Sequence, residues 1–229
     1  KYLMHQSRLA QMGEMLSMIA HQWRQPLAAI SSTTNSLLLK SMMDKYEQAY
    51  FNERLENISE YSQHLSSTID DFRNFFKKNK EKRQIQIDTL FEDALRITQE
   101  SMENKSIKII KEYKSKDSIE TYPNELRQVI LNLIKNAEDA LVEKDVENRW
   151  VKLVTYKQDN KTIMEIRDNA GGIDESIIDK IFEPYYSTKT NKDGTGLGLY
   201  MSKTIIEDHC NGSLTVANSK DGAIFKVEL

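Results

Sequence analysis

The sequence predicts a two-module α+β chain: a long antiparallel helical hairpin over residues 1–80, followed by an α/β domain over residues 81–229. Two observations lead to this prediction. The first 80 residues contain no glycine except Gly13 and no proline except Pro26, and their apolar residues recur every three or four positions. Beyond residue 80, short alternating segments typical of strands are interleaved with helical periodicity. With 229 residues, of which 39% are apolar, the chain can build a core in each module.

The composition excludes several classes of protein. A net charge of −3 gives no sign of a nucleic-acid-binding protein. The single cysteine, Cys210, excludes an internal disulfide and a cysteine-based metal cluster. No apolar run approaches the ~18 residues that a membrane helix needs, so we expect this chain to make no membrane contact. Because the chain begins at Lys1 inside a helical pattern, we expect a fragment of a longer protein.

The predicted hairpin consists of two amphipathic helices with a break near residues 41–45. Apolar positions alternate in threes and fours along the first helix, at Leu9, Met12, Leu16, Ile19 and Trp23. The second helix repeats the pattern at Leu55, Ile58, Ser62, Leu65, Ile69, Phe72 and Phe76. A lone hairpin leaves its seam half covered, so we predict a homodimer in which two hairpins form a four-helix bundle. The alternative is that the hairpin packs on the C-terminal domain.

His21 is the first candidate functional residue. It lies about 200° around the helix from Ile19, away from the predicted seam. Its neighbours one turn away are polar: Ser17, Arg24 and Gln25. Pro26 follows five residues later, and a proline in a helix interior costs roughly 3 kcal/mol. That cost is not expected in a helix kept only for packing, although a lone histidine is more often a plain surface residue.

The second module is predicted to alternate strands and helices. Strands are predicted at residues 84–87, 107–110, 119–122, 150–156, 162–167, 213–216 and 223–229. Helices are predicted at residues 90–102, at residues 124–142 after Pro123, and after Gly198. This pattern predicts an α/β domain with mixed strand order. The glycine motif of a dinucleotide-binding fold is absent after its first strand.

Three clusters in this module contain residues that are suited to binding a ligand. Asn132 and Asn136 lie one helical turn apart, and an amide oxygen is a hard ligand that suits Mg²⁺. Residues 168–173 follow a strand with Asp168 and two glycines, which can place a carboxylate at the floor of a pocket. Residues 194–199 put three glycines before a helix, where free backbone N–H groups suit phosphate. Taken alone, each cluster could equally be a polar helix face or a plain turn.

The clusters resemble known proteins when they are taken together. The segment from His21 to Leu27 resembles the phosphoacceptor box of sensor histidine kinases. The three later clusters occur in the order seen in the GHKL, or Bergerat, nucleotide-binding fold, which histidine kinases share with gyrase-type topoisomerases, heat-shock chaperone ATPases and mismatch-repair ATPases. Residues 181–189 resemble the F box of this family. The similarity covers nearly the whole chain, and Ala170 stands where the family usually has the first glycine of Asp-x-Gly-x-Gly.

The resemblance implies a role for individual residues. His21 would be the phosphorylated residue, with Gln22 orienting its ring and Gln25 serving a phosphatase activity. Asn136 would bind the magnesium ion, supported by Asn132, and Asp168 would accept a hydrogen bond from the adenine amino group. The polar stretch 187–195 would form a lid over ATP. The other expected ATP-binding residues are Asp139, Gly172, Phe182, Lys189, Gly194, Thr195, Gly196, Leu197 and Gly198.

The implied activity is ATP-dependent autophosphorylation of His21, followed by phosphotransfer to an aspartate of a response regulator. ATP and Mg²⁺ are the expected cofactors, and a second copy of the chain and a receiver domain are the expected partners. We expect this chain to be a cytoplasmic portion of a longer protein, and an inner-membrane sensor is one option for that protein. The alternative is an ATPase of the same fold that drives a conformational change. Those relatives carry a glutamate one turn before the metal-binding asparagine, where this chain has Asn132, which cannot act as a base.

Overall fold

The computed structural model describes residues 2–43, 47–76, 81–188 and 196–229; the side chains of residues 2–18, 21, 22, 64, 67, 68 and 70–76 are outside this description. The chain divides into two compact units. The first contains two long helices, α1 (Tyr2–Met42) and α2 (Gln48–Phe76). The second contains seven strands and the remaining helices. The predicted architecture of a helical part followed by an α/β domain is confirmed.

The hairpin is held by a regular seam. The helix α1 runs unbroken through Pro26. Its buried and half-buried positions repeat every three or four residues: Ile19, Trp23, Pro26, Ile30, Thr33, Leu37 and Lys40. Near the hairpin turn, the Tyr50 hydroxyl of α2 lies 2.7 Å from Ser36 Oγ, and Lys40 Nζ lies 3.5 Å from the centre of the Tyr50 ring. These contacts tie the end of α1 to the beginning of α2.

A second apolar stripe on the hairpin is exposed to solvent in the described chain. Of the residues predicted for the α2 seam, Ile58 and Leu65 are half-buried, whereas Leu55 is 54% exposed and Ile69 is 46% exposed. The helix α1 also exposes large apolar side chains, at Leu27, Leu38, Leu39 and Met42. The predicted seam of α2 therefore splits into one part that faces α1 and one part that nothing in the described chain covers. No helix in the described ranges combines the length and apolarity that crossing a bilayer requires.

The second unit contains two sheets. Strands β1 (Arg83–Gln86) and β3 (Ser118–Thr121) form an antiparallel pair. The larger sheet contains β2 (Lys108–Tyr113), β4 (Trp150–Gln158), β5 (Lys161–Asp168), β6 (Ser213–Asn218) and β7 (Ala223–Glu228). Its strand order is β2-β4-β5-β7-β6, with β2 and β4 parallel and the other neighbours antiparallel. The prediction of a mixed sheet is confirmed.

Helices α3 (Ile87–Asn104) and α4 (Pro123–Glu143) pack on this sheet. Helix α5 (Gly198–Thr204) packs beside α4 and continues as a single π-helical turn over Ile205–His209. Ile87 was predicted to end a strand but begins α3 instead. The physical reason is its burial: Ile87 is 2% exposed and lies on the same helix face as Leu90, Phe91 and Ala94, which are fully buried.

Candidate functional site

Asp168 ends the central strand β5 with a buried carboxylate. Its side chain is held in place, because Oδ1 accepts hydrogen bonds from the backbone N–H of Ala170 at 2.9 Å and of Ala223 at 3.2 Å. Burial raises the pKa of Asp168 above its usual value, while the two N–H groups and the charge of Lys144 act in the opposite direction. The strand therefore places a fixed hydrogen-bond acceptor in the interior.

The loop after Asp168 depends on its glycines. Gly171 and Gly172 both have positive φ, 73° and 77°, in a region where residues with a Cβ are rarely found. A Cβ on Gly172 would lie 2.6 Å from Asn218 Oδ1. Ala170 is 3% exposed and is not among the residues with positive φ. The alanine that replaces the family's first glycine thus occupies a position where a side chain is tolerated.

The two asparagines of α4 that the sequence singled out, Asn132 and Asn136, make different contacts. Asn132 Nδ2 donates a hydrogen bond to Ser202 Oγ at 2.9 Å, which joins α4 to α5. Asn136 Nδ2 is buried and has no hydrogen-bond partner among the residues that the structure describes. Asp139, one turn further along, pairs with Lys135 at 2.7 Å. Of the two predicted asparagines, Asn136 is therefore the one with a buried polar atom left to satisfy.

Gly196 and Tyr185 form a close backbone contact at the start of α5. Gly196 has a φ of 64°, and a Cβ on it would collide with the backbone of Tyr185. The Tyr185 N–H donates to Gly196 O at 2.9 Å, and Tyr185 itself has a φ of 67°. The Tyr185 hydroxyl is buried without a partner in the described part of the chain, and burial raises the pKa of Tyr185 to about 12. Sequence reasoning did not single out Tyr185.

Two predicted ATP-binding residues lie in apolar packing. Phe182 stands edge-on to Phe225, with ring centres 6.5 Å apart, and Lys203 Nζ lies 5.0 Å from the centre of the Phe182 ring. Leu197 is fully buried, and its carbonyl accepts from the Met201 N–H at 2.9 Å. Leu197 therefore lies in the core, whereas Phe182 is half-buried and contacts Phe225 and Lys203.

Several predicted site residues are outside the described part of the chain. Lys189, Gly194 and Thr195 belong to this group, and so does most of the stretch 187–195 that was predicted to be a lid. His21 and Gln22 lie in α1, but their side chains are not described. Gln25, also in α1, has an exposed side chain. Their roles stay predictions.

Comparison with known proteins gives two family matches in sequence order. The family described as His Kinase A (phospho-acceptor) domain matches residues 11–81, the range that contains His21. The family described as Histidine kinase-, DNA gyrase B-, and HSP90-like ATPase matches residues 121–229, the range that contains Asn136 and Asp168. The chain belongs to the histidine kinases.

The relatives of this chain include bacterial sensor proteins. It is 30% identical over 228 residues to the two-component sensor PprA of Pseudomonas aeruginosa, an alignment that covers 97% of this chain and 25% of PprA. It is 30% identical over 236 residues to the sensor protein FixL of Bradyrhizobium diazoefficiens, covering 99% of this chain and 45% of FixL. The kinase chain therefore spans between a quarter and just under half of the length of these curated relatives.

Solved structures agree with the fold of this kinase. The catalytic domain of the histidine kinase ThkA matches with a TM-score of 0.58 and 28% identity, covering 65% of this chain and 95% of that domain. The structure of ThkA in complex with the response regulator protein TrrA matches with a TM-score of 0.72, covering 98% of this chain and 63% of that chain. At 22% identity, the second match is a likeness of fold, and it extends over both units of the kinase.

Proposed function

We propose that this chain phosphorylates its own His21 with the γ-phosphate of ATP and then transfers the phosphoryl group to an aspartate of a response regulator. Residues 1–80 would serve as the dimerisation and phosphotransfer module, and residues 81–229 as the ATP-binding module. The observation that carries this proposal is the buried, backbone-held Asp168 beside a glycine loop, in a chain whose preceding family match contains His21. The similarity to a two-component sensor and to a histidine kinase solved in complex with a response regulator supports it.

In this proposal the adenine ring of ATP binds next to Asp168. The carboxylate accepts a hydrogen bond from the exocyclic amino group of adenine, an interaction for which a fixed acceptor is well suited. The positive φ values of Gly171 and Gly172 turn the backbone around this point. Gly196 and Gly198, at the beginning of α5, lie at the phosphate end, where backbone N–H groups bind anions.

The residues of α4 fit a magnesium ion bound together with ATP. The side-chain oxygen of Asn136 would be the ligand of the ion, because an amide nitrogen donates hydrogen bonds and does not coordinate Mg²⁺. The buried Nδ2 of Asn136, which has no partner among the described residues, would donate to a phosphate oxygen of the bound nucleotide. Mg²⁺ commonly takes one or two protein oxygens and completes its shell with phosphates and water. The ion, when bound, neutralises charge on the phosphates during transfer. Asn132 donates its amide hydrogen bond to Ser202, and we expect this bond to hold α5 against α4.

The helical unit supplies His21 as the acceptor of the phosphoryl group. A nitrogen of the neutral His21 ring attacks the γ-phosphorus in line, the bond from the γ-phosphorus to the bridging oxygen breaks, and ADP leaves with that oxygen. Catalysis consists mainly of positioning and charge neutralisation. Gln22 can orient the ring through its amide but cannot take up its proton. Gln25 is exposed one turn after His21, where it can reach a docked receiver domain. We propose that it positions the water that hydrolyses the phosphorylated regulator.

The uncovered stripe of the hairpin supports a homodimer. Leu55 and Ile69 on α2 and Leu27, Leu38 and Met42 on α1 are exposed in the single chain. Pairing two hairpins through these residues would complete a four-helix bundle and remove their apolar surface from water.

Because the sensors that match this chain are much longer, we propose that it is the cytoplasmic portion of a sensor protein.

Incubation with γ-labelled ATP and Mg²⁺ tests this proposal. We expect a label on the protein that acid removes and alkali does not, as for a phosphohistidine, and no label when EDTA is present. ATP hydrolysis without any label on the protein would instead favour an ATPase of the same fold. That alternative needs a base one turn before Asn136, where the amide of Asn132 cannot serve.

A further inference from the structure

The turn between β6 and β7 is a rigid element beside Asp168. Ser219 Oγ donates a hydrogen bond to Gly222 O at 2.9 Å and accepts hydrogen bonds from the N–H groups of Asp221 and Gly222 at 3.2 and 3.1 Å. The Ser219 N–H also donates to Gly222 O at 2.8 Å. One serine therefore fixes the shape of the whole turn, and the residues on either side of it are presented in defined positions.

This turn forms hydrogen bonds with the glycine loop, residues 169–173, that follows Asp168. Asn218 Oδ1 accepts from the Ile173 N–H at 2.8 Å, and Asn218 Nδ2 donates to Ile173 O at 2.6 Å. A third bond runs from the Gly171 N–H to Asp221 O at 3.0 Å. The side-chain amide of Asn218 thus satisfies both backbone groups of Ile173, which holds the loop in register with the turn.

The same turn also reaches Asp168 itself. Ala223, the first residue of β7, donates its N–H to Asp168 Oδ1 at 3.2 Å. Lys144 Nζ donates to Gly172 O at 2.7 Å, so the loop is held by a side chain of a second element as well. The positions of Asp168 and of the loop are therefore set partly by residues far away along the chain: Lys144 lies 28 positions from Gly172, and Asn218 and Ala223 lie 45 and 55 positions from their partners. Among the described residues, Asn218 makes the only side-chain hydrogen bonds from the turn to the loop.

We propose that Asn218 is a positioning residue for the adenine end of the nucleotide site. It acts through Ile173 and Gly172, which it holds at the distance from Asp168 that the base requires. This inference rests on the proposed function, because it assumes that Asp168 receives adenine. Asn218 is exposed, so its replacement leaves the core intact and the effect on the loop can be measured by itself.

The test compares Asn218→Leu, which keeps the approximate shape of the side chain and removes both hydrogen bonds, with Gln86→Leu. Gln86 is a matched control because its exposed amide also holds a loop, donating to Lys116 O at 2.9 Å, but in the two-stranded sheet. For the 229-residue chain, we expect Asn218→Leu to raise the Kd of ATP and of ADP equally, by about three- to tenfold. The KM for ATP in autophosphorylation should rise by the same factor, while kcat at saturating ATP stays unchanged. Gln86→Leu should leave the Kd values and KM unchanged.

The possible failures can be told apart. A normal Kd for Asn218→Leu, measured beside a wild type that binds ATP, would overturn the positioning role. A fall in kcat at saturating ATP, or equal effects of both substitutions on binding, would also overturn it, because either result indicates general damage. A wild type that binds neither ATP nor ADP would overturn the proposed function itself.

Discussion

At the scale of single residues, Asp168 combines a binding role with a cost in stability. Burial raises the pKa of its carboxyl group in the folded chain. A raised folded-state pKa means that the protonated form favours folding below the unfolded-state pKa, and that this contribution is lost as the pH rises through the folded-state value. Above the folded-state pKa, the ionised carboxylate therefore works against folding, and the ligand that it would hold explains an acidic residue at this buried position.

Asp168→Asn should separate these two effects. The amide keeps an oxygen for the N–H groups of Ala170 and Ala223 but presents a donor in place of the second carboxylate oxygen. Calorimetry should show ATP and ADP binding weakened by about ten- to hundredfold, while the unfolding midpoint stays equal to that of the wild type or rises. In the wild type, ATP affinity should fall as the pH drops through the raised pKa. Normal ATP binding by the variant would show that the adenine site lies elsewhere.

Tyr185 offers a second test at this scale. Its buried hydroxyl lacks a partner among the described residues, and removal of an unsatisfied buried group is neutral or stabilising. We expect Tyr185→Phe to change the free energy of unfolding by between zero and about +1 kcal/mol, measured by denaturant titration. Tyr156→Phe is the control, because the Tyr156 hydroxyl donates to Glu165 Oε1 at 2.7 Å and its loss should destabilise the chain by about 1 kcal/mol. Clear destabilisation by Tyr185→Phe would mean that this hydroxyl is satisfied in solution.

Gln25 is the residue with which the phosphatase hypothesis can be tested. Gln25→Ala should slow dephosphorylation of the cognate regulator and spare autophosphorylation, since the exposed amide of Gln25 takes no part in the attack by His21. The comparison variant is Gln22→Ala, which should change labelling of His21 instead. Unchanged dephosphorylation in Gln25→Ala would argue against the assignment, and loss of both activities would indicate a damaged helix.

At the scale of elements, a buried carboxylate joins α3 to α4. Glu138 is 1% exposed; it forms an ion pair with Lys105, accepts from Ser101 Oγ at 2.8 Å and lies 3.5 Å from Lys135. Burial opposes its ionisation, yet the hydrogen bonds from Lys105 and Ser101 and the nearby positive charges lower the pKa of Glu138 overall. This cluster fixes the helix that carries Asn136 against its neighbour.

Glu138→Gln should lower the free energy of unfolding by about 1–3 kcal/mol, because the pairing with Lys105 becomes a neutral contact. A lowered folded-state pKa gives stability that is present above the unfolded-state pKa and is lost as the pH falls through the folded-state value. The wild type should therefore lose stability on acidification below about pH 4.3, and the variant should lose less. Thermal melting at several pH values measures both effects; identical acid profiles would contradict the role given to Glu138.

The helices and strands could be read from the sequence because their signals are local. Apolar periodicity located α1 and α2, and alternation located the strands of the sheet. The strand predicted at residues 84–87 extends one residue too far, because the alternating pattern passes directly into a helical pattern at Ile87. Asp168 was predicted because it follows a strand and precedes glycines. The contributions of Asn218 and Ala223 could not be predicted, because they reach the site through the sheet order β5-β7-β6, which no local pattern encodes.

At the scale of the whole molecule, the proposed reaction is divided between the two compact units of the chain. The ATP-binding unit contains Asp168, Asn136 and the glycine loop, and the helical unit contains His21. If the division is correct, removing the acceptor should leave nucleotide binding unaffected. The other histidines are His5, His64 and His209, and His209 is held 3.0 Å from Glu125 in the ATP-binding unit.

The most direct measurement is therefore labelling of His21→Gln with γ-labelled ATP and Mg²⁺, together with calorimetry of ATP binding by the same variant. We expect acid-labile labelling to be abolished and the Kd for ATP to equal that of the wild type. Acid-labile label that persists on His5, His64 or His209 in the variant would contradict the assignment of His21 as the phosphoacceptor.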